Sequence, residues 1–328
     1  MAIVLLCLLL LLLALAGWAS RPSSLCADSA SLSPIADPAA YLKASERQTA
    51  RNFGIIDGAE KRVLWAGDTG VRTEYSFVYV HGFSATRQEI APVPQLVAEA
   101  LGANLFETRL TGHGQKRSCL SDVTAEDWLR DGAEALAIGK ALGDKIVLMG
   151  TSTGATLALA MAEHADFDAV DSLVFMSPNF GPAARGAHFA TGPFGPQLLR
   201  LYAGEYYAWE PNSDAHARYW TTRYPTRSII EMLRLVKLAK ALTPELKVPN
   251  ALLIYSPKDN VVSVDKLLKG FDQLRAQRKK THQVDQADSR SAHVLAGDIL
   301  APGATLETAT RISEFLRGEP HRKSGGEN

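Results

Sequence analysis

The sequence has little cysteine, no excess of either charge and no motif of a metal or nucleotide site. Three cysteines in 328 residues cannot build a disulfide-rich scaffold. The 35 Lys and Arg residues balance 35 Asp and Glu residues, whereas a protein that binds nucleic acid through its phosphates has a basic excess. The chain contains no G-x-G-x-x-G, G-x-x-x-x-G-K-[ST] or H-E-x-x-H pattern. We therefore expect a globular protein that binds no nucleic acid and needs no cofactor or metal ion.

One long hydrophobic run stands at the start of the chain. Residues 2–19 carry no charge and no proline, and as a helix they would extend about 27 Å, close to the hydrocarbon thickness of a bilayer. The run is typical of a secretory signal peptide or of an uncleaved transmembrane anchor, although no Lys or Arg precedes it. Both alternatives predict export or membrane association, with the following domain outside the cytoplasm. There, Cys26 and Cys119 could pair or remain separate thiols.

The rest of the chain divides into a linker and one large domain. Residues 21–38 are rich in Ser, Pro and Ala and are predicted to be a linker after a leader at 1–20. From 39 to 328, short apolar runs alternate with segments of helical period, which is typical of a parallel sheet covered by helices. We predict strands at 76–80, 104–108, 145–149, 172–176 and 251–255, with a further strand-like stretch at 281–288. We predict helices at 87–101, 125–142, 155–165, 264–276 and 305–317.

A stretch at about 181–247 breaks this alternation. It contains no convincing strand and carries six large aromatic residues, which are Tyr202, Tyr206, Tyr207, Trp209, Tyr219 and Trp220. Its last part has a period near 3.6. We interpret the stretch as a helical insertion, in which each aromatic side chain either packs the insertion or faces a ligand.

The sharpest motif is G-T-S-T-G at 150–154, directly after a predicted strand and directly before a predicted helix. In that context the small residues permit a tight turn that lifts the hydroxyl of Ser152 off the sheet edge. The alternative, a glycine-rich turn whose serine only caps the helix, fits this context less well. Ser152 is the predicted nucleophile.

A serine nucleophile needs a base and a group that orients the base, in the chain order Ser, Asp or Glu, His. Asp259 follows the predicted strand at 251–255, and His293 follows the stretch at 281–288, so both lie in loops beyond strand ends. We exclude His282 because it would begin that strand at the opposite edge, and Asp265 because it reads as a first-turn acid of a helix.

An oxyanion site is expected beside the serine. H-G-F at 81–83 follows the strand at 76–80, so the backbone N–H of Phe83 can converge with that of Thr153 on a developing negative charge. His81 is predicted to shape this loop, and His113 to be structural.

These motifs resemble the α/β-hydrolase superfamily, on the branch of monoacylglycerol lipases, lysophospholipases and carboxylesterases. The resemblance rests on H-G-F at 81–83, R-L-T-G-H-G at 109–114, G-T-S-T-G at 150–154, Asp259 and His293. It implies an α/β-hydrolase fold with a mostly parallel sheet flanked by helices, in which residues 181–247 form a helical cap over the substrate cleft. It also implies hydrolysis of a small-molecule ester or lipid through Ser152, His293 and Asp259, without a cofactor.

Two other functions remain open. A serine exopeptidase on the same scaffold would need an acidic group in the cap to hold a substrate amine, for which Glu205, Glu210, Asp214 and Glu231 are available. A non-catalytic binding protein could also have kept the fold, although such a chain would be expected to lose a triad member.

Overall fold

The computed structural model describes residues 32–184, 186–285 and 289–318, together with Leu6, Leu10, Leu11, Ala16 and Leu25. The strands among them, in chain order, are β1 (Arg62–Leu64), β2 (Thr73–Val80), β3 (Asn104–Glu107), β4 (Gly143–Thr151), β5 (Val170–Met176), β6 (Tyr206–Ala208), β7 (Arg223–Pro225), β8 (Lys247–Tyr255) and β9 (Arg275–Gln283). The α-helices are α1 (Pro38–Phe53), α2 (Val93–Leu101), α3 (Ala125–Leu142), α4 (Thr153–Ala160), α5 (Gly195–Ala203), α6 (Asp214–Tyr219), α7 (Arg227–Leu242), α8 (Val264–Gln273) and α9 (Thr305–Arg317).

Seven of the strands form one sheet, in the order β1-β3-β2-β4-β5-β8-β9. Only β1 runs antiparallel to its neighbour, and β2, β3, β4, β5, β8 and β9 are parallel to one another. The predicted mostly parallel sheet is therefore confirmed. Parallel strands bring their carboxyl ends to one edge, where open α/β sheets bind ligands.

Both faces of this sheet are buried. Successive strand residues point to opposite faces, so that Leu148 lies in one core layer with Trp128 of α3 and Leu157 of α4. Val147 lies in the other layer, with Val97 of α2 and Ile312 of α9. Because the central strands are covered on both sides, they are continuously apolar, as the sequence showed.

Local signals set several helix boundaries. Thr124 caps α3 by accepting from the N–H of Asp127, whose carboxylate in turn accepts from the N–H of Thr124. This reciprocal pair is a capping box, and α3 spans the predicted 125–142. The predicted bounds of α9 are also observed.

Other predicted elements differ from the structure. The helix predicted at 87–101 begins only at Val93, after a short 3-10 turn at Arg87–Glu89. The predicted helix at 264–276 ends at Gln273, and β9 begins at Arg275. His282 therefore lies near the end of β9, paired with Ile254, and the prediction that it begins the strand is wrong. The insertion also contains a two-stranded sheet, β6 with β7, that was not predicted.

Most residues of the predicted leader and linker lie outside the described residues, as does Cys26 of the considered disulfide pair. The thiol of Cys119 donates to the carbonyl of Gln115 (2.8 Å). Among the described residues, no helix has the length and apolar character needed to cross a membrane.

Candidate active site

Four loops meet at the carboxyl edge of the sheet. Residues 81–84 follow β2, Ser152 follows β4, Asp259 follows β8, and His293 lies in the segment after β9. All of them sit where the parallel strands end, so residues far apart in the chain come together there.

The turn that carries Ser152 is tight and strained. Ser152 has φ 52° and ψ −117°, a conformation that costs energy for a residue with a side chain. Its N–H donates to the carbonyl of Met176 (2.9 Å), and its own carbonyl accepts from Asn179 (3.2 Å). A Cβ on Gly154 would overlap the carbonyl of Val80, which explains the glycine there. Strain held in place by such contacts is typical of a functional residue.

Asp259 and His293 form a hydrogen-bonded pair. Nδ1 of His293 donates to Oδ2 of Asp259 at 2.7 Å, since a carboxylate can only accept. The other oxygen, Oδ1, accepts from the N–H groups of Val261 (2.8 Å) and Val262 (3.0 Å). Ser177 Oγ donates to the carbonyl of His293 (2.7 Å) and so fixes its backbone. The pair therefore holds the imidazole with Nε2 available as a base.

Ser152 and His293 line the same cavity, of about 1000 Å³. Both are largely buried, each with 7% of its surface exposed. Within the described ranges, no hydrogen bond joins Ser152 Oγ to His293, so the structure brings the two residues to one cavity without closing that contact. The same part of the chain holds no cluster of three or more His, Cys, Asp or Glu residues able to bind a metal ion.

Two backbone N–H groups of the loop after β2 donate to buried side chains. The N–H of Gly82 donates to Glu89 Oε2 (2.8 Å), and the N–H of Ser84 donates to His113 Nε2 (3.0 Å). Between them, the N–H of Phe83 donates to none of the residues that the structure describes. Phe83 and Thr153, the two predicted oxyanion donors, both line the cavity. The N–H groups of Phe83 and Thr153 are therefore available to donate to a ligand in the cavity.

Two neutral histidines brace this loop. Nε2 of His81 accepts from the N–H of Leu110 (3.0 Å), so the ring carries its proton on Nδ1, which donates to the carbonyl of Gly82 (2.9 Å). His113 accepts on Nε2 in the same way. Burial lowers the pKa of His81, and it lowers the pKa of His113 to about 4. The predicted roles of His81 in shaping the loop and of His113 in structure are confirmed.

Glu89 also lines the cavity, and the sequence did not single it out. Burial raises the pKa of its carboxyl to about 6. The residue lies within the helix predicted at 87–101, where a single acid carries no signal. Because the helix begins only at Val93, Glu89 instead lies beside the loop at 81–84.

The insertion supplies the apolar wall of the cavity. Four of the six aromatic residues singled out in the sequence line it, namely Tyr202, Tyr207, Trp209 and Trp220. Aliphatic side chains of α5 and α7 complete the wall, namely Leu198, Leu199, Ile229, Met232 and Leu233.

Of the four acids considered for binding an amine, Glu210 alone lines the cavity within the described residues. Glu205 pairs with Arg200 on the surface, and Glu231 pairs with Arg234. Asp214 stands in the first turn of α6. The requirement of an exopeptidase is thus met by one exposed carboxylate at most.

Comparison with known proteins shows the family of the chain. A model of the alpha/beta hydrolase family matches residues 77–302. A thermostable monoacylglycerol lipase of Bacillus sp. (strain H-257) is 27% identical over 210 residues, which are 64% of this chain and 78% of that protein.

Solved structures share the fold. One of the metagenome-derived lipolytic enzymes LipS and LipT superposes with a TM-score of 0.64 at 19% identity, covering 81% of this chain and 100% of that one. The monoacylglycerol lipase of Paleococcus ferrophilus gives 0.59 at 18% identity, covering 79% and 98%. The predicted fold and the predicted resemblance to lipolytic enzymes are confirmed.

Proposed function

The chain belongs to the alpha/beta hydrolase family and is an ester hydrolase of the lipase and esterase type; on that premise we propose that Ser152, His293 and Asp259 form its catalytic triad. The observation that carries the proposal is the Asp259–His293 pair at the wall of the cavity that Ser152 lines. Closing the contact between Ser152 Oγ and His293 Nε2 is the first requirement of the reaction.

In the proposed mechanism, His293 Nε2 takes the proton of Ser152 Oγ as that oxygen attacks the carbonyl carbon of the ester. Asp259 keeps the imidazole in the correct tautomer and stabilises the imidazolium. The N–H groups of Phe83 and Thr153 donate to the oxyanion. His293 then protonates the departing alcohol, and a water molecule, activated by the same imidazole, releases the acid from the acyl-enzyme.

The substrate we propose carries an acyl chain, as in a monoacylglycerol or a lysophospholipid. The cavity wall formed by α5 and α7 is apolar, and its volume is sufficient for a chain of several carbons. Each methylene that the wall removes from water contributes roughly 0.8 kcal/mol to binding. Esters of octanoate should therefore be hydrolysed faster than esters of acetate, and the reverse preference would contradict a lipid substrate.

Substitution of Ser152 by alanine tests the reaction. Ser152→Ala should abolish hydrolysis of p-nitrophenyl octanoate and labelling by a fluorophosphonate probe. The variant should still fold, and should unfold on heating in a cooperative transition like that of the wild type. Ser313→Ala is the matched control, because its buried hydroxyl bonds only within α9. Retained turnover in Ser152→Ala would remove this residue from the mechanism.

The other two functions are distinguished by the same preparation. Turnover of an aminoacyl anilide at a rate comparable to the ester, lost in Glu210→Gln, would favour a serine exopeptidase. No reaction of the wild-type protein with the fluorophosphonate would favour a non-catalytic binding protein.

Where the enzyme acts is a separate proposal. It rests on the charge-free run at residues 2–19, from which we propose export or membrane anchoring, with the catalytic domain outside the cytoplasm. N-terminal sequencing of protein recovered from the membrane and soluble fractions would distinguish a cleaved leader from a retained anchor.

A further inference from the structure

Glu89 is a buried carboxyl at the reacting end of the cavity that the proposed mechanism does not use. Its Oε2 accepts from the N–H of Gly82 (2.8 Å) and from the hydroxyl of Tyr79 (3.0 Å). That hydroxyl also lies 3.1 Å from Thr151 Oγ1, at the end of β4. The carboxyl thus ties the oxyanion loop to the strand that carries the nucleophile.

The same carboxyl lies close to the nucleophile itself. A Cβ built on Gly82 would stand 2.8 Å from Glu89 Oε1 and 3.3 Å from Ser152 Cβ, so both side chains border the space that a side chain at position 82 would fill. Oε1 accepts no hydrogen bond from the residues that the structure describes, and Glu89 forms part of the cavity wall. One oxygen is therefore engaged by the fold while the other remains free beside Ser152.

Glu89 and His293 line the same cavity, so a charge on one side chain can act on the other. Burial raises the pKa of the Glu89 carboxyl, and the N–H of Gly82, the imidazole of His293 and the phenol of Tyr79 act to lower it. Across the described part of the chain, no Lys or Arg forms an ion pair with it; Arg87, on the same 3-10 turn, lies near Glu60 and Glu107 instead. A positive charge arising on His293 would therefore be stabilised by this carboxylate.

We propose that Glu89 is a positioning residue of the esterase, which fixes the oxyanion loop through Gly82 and stabilises the imidazolium that His293 becomes during acyl transfer. Asp259 serves Nδ1 by a direct hydrogen bond, whereas Glu89 acts through space and through the loop. A buried carboxylate without a cation of its own is costly to maintain, so Glu89 favours a positive charge that arises near it, as on His293 in the transition state. This inference rests on the proposed ester hydrolysis.

Glu89→Gln removes the charge and keeps an oxygen that can accept from Gly82 and Tyr79. Loss of a nearby negative charge lowers the pKa of an imidazole. The acid limb of kcat/KM should therefore move to lower pH by about half a unit to one unit. The plateau of kcat should fall about tenfold, which is the equivalent of one pKa unit, with KM within about twofold, because the interaction strengthens only in the transition state.

Tyr79→Phe should move the acid limb in the opposite direction. The phenol donates to the ionised carboxyl, so its removal raises the pKa of Glu89. The carboxyl then takes up a proton at a higher pH, and full activity is lost at a higher pH. Because Tyr79→Phe deletes one hydroxyl, it tests the proposal even if Glu89→Gln does not fold.

The matched control is Glu134→Gln, which neutralises another buried carboxyl. Glu134 bonds Lys61 (2.5 Å) and Tyr41 (3.2 Å), away from the described cavity wall. This variant should lose stability without moving the acid limb.

The outcomes separate the two proposals. Opposite shifts in Glu89→Gln and Tyr79→Phe, with none in Glu134→Gln, support the role of Glu89. If the wild type is active and depends on Ser152, but neither Glu89→Gln nor Tyr79→Phe moves the acid limb, the role of Glu89 alone is overturned. Glu89 would then be only structural. A wild type inactive on esters, or an active Ser152→Ala, overturns the proposed function instead.

Discussion

The sheet edge and the insertion that covers it are built in contrasting ways. At the edge, Ser152, Asp259 and His293 are each exposed by less than a tenth, and their backbones are tied to neighbouring strands and loops. In the insertion, large apolar side chains of α5 are exposed, with Leu201 85% exposed and Tyr202, which lines the cavity, 91% exposed. Under the proposed mechanism, the reaction therefore depends on a backbone that many hydrogen bonds hold in place, whereas the choice of substrate depends on exposed side chains that few contacts hold.

The largest test of this contrast is at Asp259. Asp259→Asn should lower kcat about 10⁴-fold, because the imidazole then loses the acceptor that sets its tautomer. Steady-state hydrolysis of p-nitrophenyl octanoate measures the loss. Asp265→Asn, in the first turn of the next helix, is the matched control and should change kcat less than about twofold. Equal losses in the two variants would contradict the assignment of Asp259.

A second test compares glycines of the two regions. Gly154→Ala should lower the free energy of unfolding by roughly 3 kcal/mol, because its Cβ would overlap the backbone carbonyl of Val80. Gly192→Ala, in the insertion, has φ −90° and should cost less than about 1 kcal/mol. Urea denaturation of both variants checks this difference, and similar losses would mean that the insertion is as tightly packed as the edge.

A third test measures how the contribution of His113 to the free energy of unfolding changes with pH. Unfolded His113 takes up a proton near pH 6.5, but folded His113 does so only near its lowered pKa of about 4. The stability that His113 contributes is therefore complete above pH 6.5 and is lost as pH falls toward 4. The difference in unfolding free energy between wild type and His113→Gln should shrink by roughly 2 to 3 kcal/mol between pH 7 and pH 4.

Burial raises the pKa values of Glu89 and Asp131, and such groups act with the opposite sign, but they are present in both proteins and cancel in that difference. Urea denaturation at pH 7, 5.5 and 4 provides the measurement. A difference independent of pH would contradict the neutral state of His113.

The smallest expected effect lies in the insertion. Leu198 lines the cavity and Leu201, one turn later on α5, does not. Leu198→Ser should lower kcat/KM about fivefold for octanoate and longer esters, because about 1 kcal/mol of apolar contact is lost, and should leave acetate esters unchanged. Leu201→Ser should affect neither class. A loss that is the same for every chain length would place Leu198 outside the acyl site.

The same contrast explains what the sequence could predict. The central strands and α3 could be predicted because continuous apolar runs and a clear helical period are strong signals in the sequence. The candidate catalytic residues could be predicted because the motif around Ser152 and the chain order of Asp259 and His293 are visible in the sequence, and the structure brings all three to one edge of the sheet. β9 was misplaced because an edge strand with the sequence RAQRKKTHQ shows no apolar run.

Glu89 was missed for a different reason. Its proposed role arises from hydrogen bonds with Gly82 and Tyr79 and from the electrostatic influence of His293. Only the folded chain brings these groups together. Because α2 starts at Val93 rather than at Arg87, Glu89 does not lie on the surface of that helix. No pattern in the sequence distinguishes such a residue from the solvated acids of an ordinary helix.

Trapping the covalent intermediate tests the central claim most directly. The protein would be mixed with an excess of p-nitrophenyl octanoate, quenched in acid within milliseconds and digested for mass spectrometry. The account predicts an octanoyl group on the peptide that contains Ser152, absent in Ser152→Ala and formed far more slowly in His293→Ala. An acyl group on another residue, or turnover of the ester with no acylated peptide at any quench time, would contradict it.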